Sequence, residues 1–399
     1  MTEMTTVQPA SQHRRLAVFL DGTTDKSEGN TNVWRARSLC AHASVDGWEQ
    51  RIYYGAGVGT QLGELVRGDV FGYGIDDQVI AAYQWLVENY ETDDEIFIFG
   101  FSRGAYAARS LSGSISHCGF IEPGSPLGVK ELYDRYRLGN DKLTIFELFE
   151  ADRDQSTFGL QEKWMIRDCR PVPVKFTGVW DTVGSLAHTN NLAFLTGGNH
   201  AFLDTNLRKS ERYLYHAMAI DENRKDFDVT LLTRYRPKTE VGPYVTPRPL
   251  SDVEQRWFAG AHGDVGGGTA SDAIAQLPLK WLLSKASLHG LAFRRNIDLD
   301  EEAKLGKIED SFSDFLKGTY KVYSFGHRHW RPIGREPVEL DHSVLHTVNE
   351  TIDVSVFERW RRDGNYRPDN LVDWAARRKV DILTLTTSVQ AADGSSLSG

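Results

Sequence analysis

At 399 residues the chain is long enough to bury a large core, in one decorated α/β domain or in two small ones. Hydrophobic residues at 40% and charged residues at 25% exclude a disordered or fibrous chain. A formal net charge of −9 argues against nucleic acid as the main partner, because a phosphate-binding surface needs a basic excess. Cys40, Cys118 and Cys169 are few, odd in number and widely spaced, so they suggest neither a disulfide framework nor a zinc site. The polar opening MTEMTTVQPASQHRR has no apolar signal-peptide core, and no run approaches the ~18 apolar residues of a transmembrane helix. The expectation is a cytoplasmic protein, with export by a machine that needs no cleavable signal left open.

Residues 1–14 and 388–399 read as disordered ends. Leu16–Leu20 (LAVFL) is an apolar strand that stops at Asp21-Gly22-Thr23. Arg51–Tyr54 is a second strand, followed by the glycine-rich turn GAGVGT. Apolar residues at helical spacing predict a helix over 75–90. The run Ile96–Phe99 predicts a strand buried on both faces, and the helix after the next turn extends to about His117. Val172–Trp180 is a strand ending at Asp181, and Gln255–Ala259 is another ending near His262, with a helix over 273–286 behind it. Strands alternating with helices, and polar residues just past strand ends, predict a doubly wound, mostly parallel α/β sheet.

Two stretches fit that core poorly. Residues 121–170, and Glu131–Arg170 in particular, are charged and mixed with aromatic residues, and are expected to form a helical cap over the site. Residues 296–387 read as a helical C-terminal extension to a core spanning 15–295. The basic cluster Arg328, Arg331 and Arg335 beside His327, His329 and Trp330 is read as a solvated surface turn.

The chemistry concentrates in Gly100-Phe101-Ser102-Arg103-Gly104. With 36 glycines in the chain, Gly-x-Ser-x-Gly arises by chance about 0.2 times. A match wedged between a buried strand and a helix is rarer. Such an elbow exposes the serine hydroxyl and points the helix N-terminus at the reaction centre. Serine is a weak nucleophile and needs a histidine base oriented by a carboxylate. Asp181 and His262 follow Ser102 in the expected chain order, each just past a strand. Backbone N–H groups of Arg103 and of the Gly22–Thr23 turn are the candidate oxyanion donors. Set up this way, the reaction needs no metal or cofactor.

Rivals remain for several positions. His342 is the alternative base, while His216, at helical spacing among apolar residues, reads as a packed core histidine. Asp21 either braces its own turn or joins Asp181, Asp264 or His262 around a divalent cation. Gly266-Gly267-Gly268 lacks the lysine of a phosphate-binding loop and reads as a flexible active-site turn.

Six ordered segments carry a more specific signal: FLDGT, YYGAGVGT, FIFGFSRGAYAAR, FTGVWDTVG, HAMAIDENR and WFAGAHGDVGGG. Over about residues 15–290 this set resembles the α/β-hydrolase catalytic domain of type VI secretion phospholipase effectors and of many uncharacterised bacterial and fungal proteins. The resemblance implies a Ser-Asp-His hydrolase on Ser102, Asp181 and His262, acting on a small-molecule or lipid ester, with phospholipid acyl esters the effectors' substrate. No large apolar insertion suited to membrane anchoring is evident, so the resemblance supports ester hydrolysis better than membrane lipid as the substrate. A metal-dependent hydrolase, and a non-catalytic binding module with a secretion-system or immunity-type partner, stay open as alternatives.

Overall fold

Every residue of Arg14–Leu20 is buried, as expected of a strand covered on both faces. The computed structural model describes residues 13–22, 29–57, 73–139, 142–150, 155–184, 210–239, 248–269, 273–299, 301–314 and 318–391. That first strand, β1, starts at Arg14 because the Arg14 backbone N–H and guanidinium both bond the Asp94 carboxylate. Helix α1 (Asn32–Leu39), capped by the Thr31 hydroxyl, and β2 (Glu49–Gly55) follow. Next come α2 (Tyr73–Asn89), β3 (Glu95–Phe101) and α3 (Arg103–Cys118). The insertion opens on β4 (Phe120–Ile121), runs through α4 (Val129–Arg137), α5 (Ile145–Glu150) and α6 (Leu160–Asp168), and closes on β5 (Cys169–Arg170). The core resumes with β6 (Val174–Trp180), β7 (Glu211–Ala219), β8 (Thr233–Pro237) and β9 (Val253–Phe258). Helices at His262–Gly266 and Gln276–Leu288 precede β10 (Val338–Glu339), β11 (Ser343–Thr347) and β12 (Glu350–Ile352). Helices at Val354–Arg362 and Asp369–Arg378 lead to β13 (Val389–Gln390).

The central sheet has the order β13-β12-β9-β7-β6-β3-β1-β2. All neighbours pair in parallel except β13, which runs antiparallel at one edge. Parallel pairing brings the carboxyl ends of β3, β6, β7 and β9 to one rim, where ligands bind in open α/β sheets. One face is covered by α2, α3 and the insertion, around Val79, Leu86, Leu111 and Tyr136. The other is covered by α1 and helix Gln276–Leu288, around Phe19, Phe99, Phe176 and Leu282. No described helix is long and apolar enough to cross a membrane.

The structure departs from the sequence reading in three places. His216 lies in β7, not in a helix: a central strand buried on both faces is apolar on both sides, which erases the period-two signal. The C-terminal segment is not only helical, since β12 and β13 extend the main sheet. Trp257 of β9 donates its indole N–H to Glu350 at 2.9 Å, and Trp374 donates to the Ala391 carbonyl at 2.7 Å, so the expected disordered tail is ordered as far as 391.

The insertion is the third. Its described residues form a second helical layer on the flank of α2 and α3. Tyr136 packs on Gly113 and His117, and Cys118 bonds the Leu132 carbonyl. Gly113 lies about 16 Å along α3 from Ser102, at 1.5 Å per residue. The buried face of α4, with Leu132, Tyr133 and Tyr136, is used up in this packing, and Tyr133 and Arg137 also bond Asp76 in the first turn of α2, so the described insertion is a layer beside α2 and α3.

Candidate active site

The β3–α3 turn holds Ser102 at φ 57° and ψ −124°, a conformation that L-residues rarely adopt. Two glycines make the turn feasible. A Cβ on Gly100 would strike the Gly104 carbonyl, and one on Gly104 would strike the carbonyls of Leu20 and Asp21. The turn therefore closes on itself and against the end of β1. Ser102 is half-buried and its N–H donates to the Trp180 carbonyl at 3.1 Å.

His262 opens the short helix after β9 and is 8% exposed. Its Nε2 is 2.9 Å from Ser102 Oγ, and its Nδ1 is 2.6 Å from Asp181 Oδ2. A carboxylate facing Nδ1 fixes the proton there, which leaves Nε2 as the acceptor facing the hydroxyl. Phe101 lies tilted against the imidazole at 4.7 Å between centroids, and Phe227 meets it edge-on at 5.3 Å. The backbone N–H of His262 donates to Glu222 Oε2 at 3.2 Å.

Asp181 directly follows β6, at φ 39°, and is fully buried. Burial alone would raise its carboxyl, but the Arg331 charge and the His262 hydrogen bond overcome this and hold it well below the usual carboxylate range. Arg331, also fully buried, donates Nη1 to Asp181 Oδ1 at 2.7 Å and Nη2 to Oδ2 at 3.0 Å. The Ala219 N–H supplies a further bond to Oδ1 at 2.9 Å. Beside this pair Glu222 accepts two bonds from the Arg224 guanidinium at 2.8 Å, and one from the Ser311 hydroxyl at 3.0 Å. Burial works to raise Glu222 as well, yet Arg224 brings it down to about 2.

Ser102, Asp181 and His262 thus meet in one hydrogen-bonded chain. Arg103 is the first residue of α3, directly after the serine. Gly22 donates its N–H to the Asp21 side chain at 3.0 Å, and Thr23 lies outside the described residues. Asp21 Oδ2 accepts from Thr31 Oγ1 at 2.7 Å and from the Tyr54 hydroxyl at 2.9 Å, which braces its turn. Asp264 Oδ2 accepts the N–H groups of Ala261 and Glu309 at 2.9 and 3.0 Å. Among the described residues no group of three His, Cys, Asp or Glu side chains is arranged to hold a metal ion. His342 is exposed in the turn before β11, away from this chain of contacts. His216 is buried and accepts the Thr182 N–H at 3.0 Å. Burial, aided by the Arg109 charge, pushes it down to about 3, so it is a neutral core histidine.

The reading of residues 327–335 as a solvated turn is corrected by Arg331. A guanidinium is buried only where a carboxylate receives it, and that partner lies 150 positions away. Arg328 and Arg335 do sit nearer the surface, paired with Asp310 and Asp228. Glu222 and Arg224 also escaped the sequence reading, although both belong to the segment HAMAIDENR.

A mostly parallel α/β sheet with a serine elbow at the end of its central strand makes this a protein of α/β-hydrolase type. Residues 14–285 match the family described as T6SS, Phospholipase effector Tle1-like, catalytic domain, and the chain belongs to that family. A Saccharomyces cerevisiae relative, Uncharacterized protein YEL023C, is 26% identical over 254 residues, covering 57% of this chain and 34% of that protein. The chain thus spans about a third of that relative's length. Among solved structures, the Tle1 effector bound to the VgrG spike from the type 6 secretion system aligns at 17% identity and TM-score 0.33, over 68% of this chain and 56% of that one. An uncharacterized Pseudomonas aeruginosa protein aligns at 14% and 0.40, over 75% and 50%. Zea mays acyl-protein thioesterase 2 aligns at 13% and 0.28, over 70% and 96%.

Proposed function

We propose that this chain is a serine hydrolase that cleaves carboxylic esters of lipids, with phospholipid acyl esters as the substrate class. The observation that carries the reading is the chain from Ser102 Oγ through His262 to Asp181, at 2.9 and 2.6 Å, on a serine held at positive φ. Membership of a phospholipase effector family supports the lipid part.

In this mechanism Ser102 Oγ attacks the acyl carbonyl while its proton passes to His262 Nε2. Asp181 accepts the Nδ1–H and stabilises the imidazolium. The Arg103 N–H, at the start of α3, and a second N–H from the Gly22–Thr23 turn receive the oxyanion. The close approach of Gly104 to the carbonyls of Leu20 and Asp21 supports a second donor from just after β1, with Thr23 the candidate because the Gly22 N–H already bonds the Asp21 side chain. His262 then protonates the departing alcohol, and water activated by the same imidazole releases the acyl group from Ser102.

Labelling with a fluorophosphonate tests the reading. The wild-type protein should take up one label per chain at Ser102, and Ser102→Ala should take up none and lose ester hydrolysis. An unlabelled wild type, or an alanine variant with a tenth of the activity, would sink it.

A further inference from the structure

The family match ends at residue 285, yet the buried carboxylate of the site is completed by a side chain beyond it. An aspartate carboxylate turns easily about its last torsion, so burial alone does not aim one oxygen at an imidazole. The Arg331 fork meets both oxygens, at 2.7 and 3.0 Å, and a planar guanidinium on a planar carboxylate fixes the plane of the pair. Arg331 is itself fixed: Nη1 donates to the Ala219 carbonyl at 2.9 Å, and Nη2 donates to the Phe227 carbonyl. Its backbone is held too, because Asn370 donates to the Arg331 carbonyl at 3.1 Å and the His329 N–H donates to Asn223 at 2.8 Å.

A guanidinium so close to Asp181 could drain the charge that His262 needs. The surroundings offset this. Arg331 lies in the field of three carboxylates, Asp181, Glu222 and Asp228. Glu222 is paired with Arg224, and Asp228 with Arg335. Arg331 thus sits among several carboxylates and not beside Asp181 alone, and Asp181 is the one in contact with the imidazole.

We propose that Arg331, supplied by the segment that follows the family's catalytic domain, is a positioning residue that fixes the Asp181 carboxylate toward His262. This inference rests on the Ser102, His262 and Asp181 reading above. It makes residues 286–391 a working part of the site instead of an appendage.

A double-mutant cycle in kcat on a soluble fluorogenic ester tests it, with melting curves to establish folding. Arg331→Met should lower kcat by about 10²-fold, the scale of a misaimed catalytic group, with KM within about twofold. In an Asp181→Asn background the same substitution should change kcat by less than about twofold, because the carboxylate it aims is already gone. Arg331→Lys keeps the charge without the fork, and should recover only part of the loss. If the methionine variant does not fold, the lysine variant carries the cycle. Equal losses in both backgrounds, or no loss in the wild-type background, would overturn the proposal. Fluorophosphonate labelling of the wild type separates the two failures. Absent label means the hydrolase reading is wrong, whereas labelled protein with additive variants means only the role of Arg331 is wrong.

Discussion

The ring of Phe101 lies so close to Gly266 that a Cβ there would fall within it, and the same ring leans against His262 at 4.7 Å between centroids. Elbow strand and histidine helix are therefore in register through one aromatic side chain. Gly266→Ala should cost about 1–3 kcal/mol by overpacking, and should also lower turnover, because the displaced ring backs the imidazole. Urea denaturation and kcat measured on the same preparation check this. Unchanged values in both would mean that the ring swings aside freely.

Ser102 stores backbone strain at φ 57°, which glycine would not feel. Ser102→Gly and Ser102→Ala should both lose activity by roughly 10⁴-fold or more. They should differ in stability, with the glycine variant the more stable by about 1 kcal/mol. Thermal midpoints of the two variants decide it, and equal midpoints would mean the turn is not strained.

Two buried groups make stability depend on pH in opposite senses. Burial lifts Asp221 from 3.8 to about 6, although Gly260 N–H and the Tyr366 hydroxyl both donate to it. Its folded form keeps a proton that the unfolded chain releases, so stability falls as pH rises from about 4 to 6 and stays low above. Asp221→Asn can accept the same two bonds without a charge. It should gain about 3 kcal/mol over wild type at pH 8, at 1.36 kcal/mol per unit, and nothing below pH 4. His216 works the other way. Depressed from 6.5 to about 3, it stays neutral when folded while the unfolded chain protonates, so its contribution is present above pH 6.5 and is lost as pH falls toward 3. Denaturation curves of wild type and Asp221→Asn across this range test the first sign. A difference that grows toward acid pH would refute it.

Dialysis against EDTA should leave ester hydrolysis unchanged. The Asp181 oxygens already accept from Arg331, Ala219 and His262, so a cation there would face a buried guanidinium. Activity that returned only on adding a divalent ion would support the metal-dependent alternative.

Much of the candidate site was legible because its residues sit just past strand ends. Leu16–Leu20, Ile96–Phe99 and the run to Trp180 announce buried parallel strands, and Ser102, Asp181 and His262 stand just past three of the strands. What stayed hidden depends on partners distant in sequence. Tyr213–Ala219 is apolar apart from His216 and has no readable period, because both its faces are covered. Glu350–Ile352 is a three-residue strand that exists because β9 offers it an edge. Arg331 sits among arginines and histidines that look solvated, and no local feature distinguishes the one that is buried. Among the insertion's aromatic residues, which pointed to a substrate roof, Tyr133 and Tyr136 are buried in the layer on α2 and α3, while Phe149 stays exposed.

The sheet order has a consequence for the timing of assembly. β9 gains its outer neighbour only when β12 docks, and β12 is covered in turn by β13 near the end of the described chain. A nascent chain emerging from the ribosome would carry Ser102, Asp181 and His262 long before it could bury Trp257 or seat Arg331. The candidate site would then be completed late, only once the chain through β12 and β13 has been made, with synthesis itself as the delay.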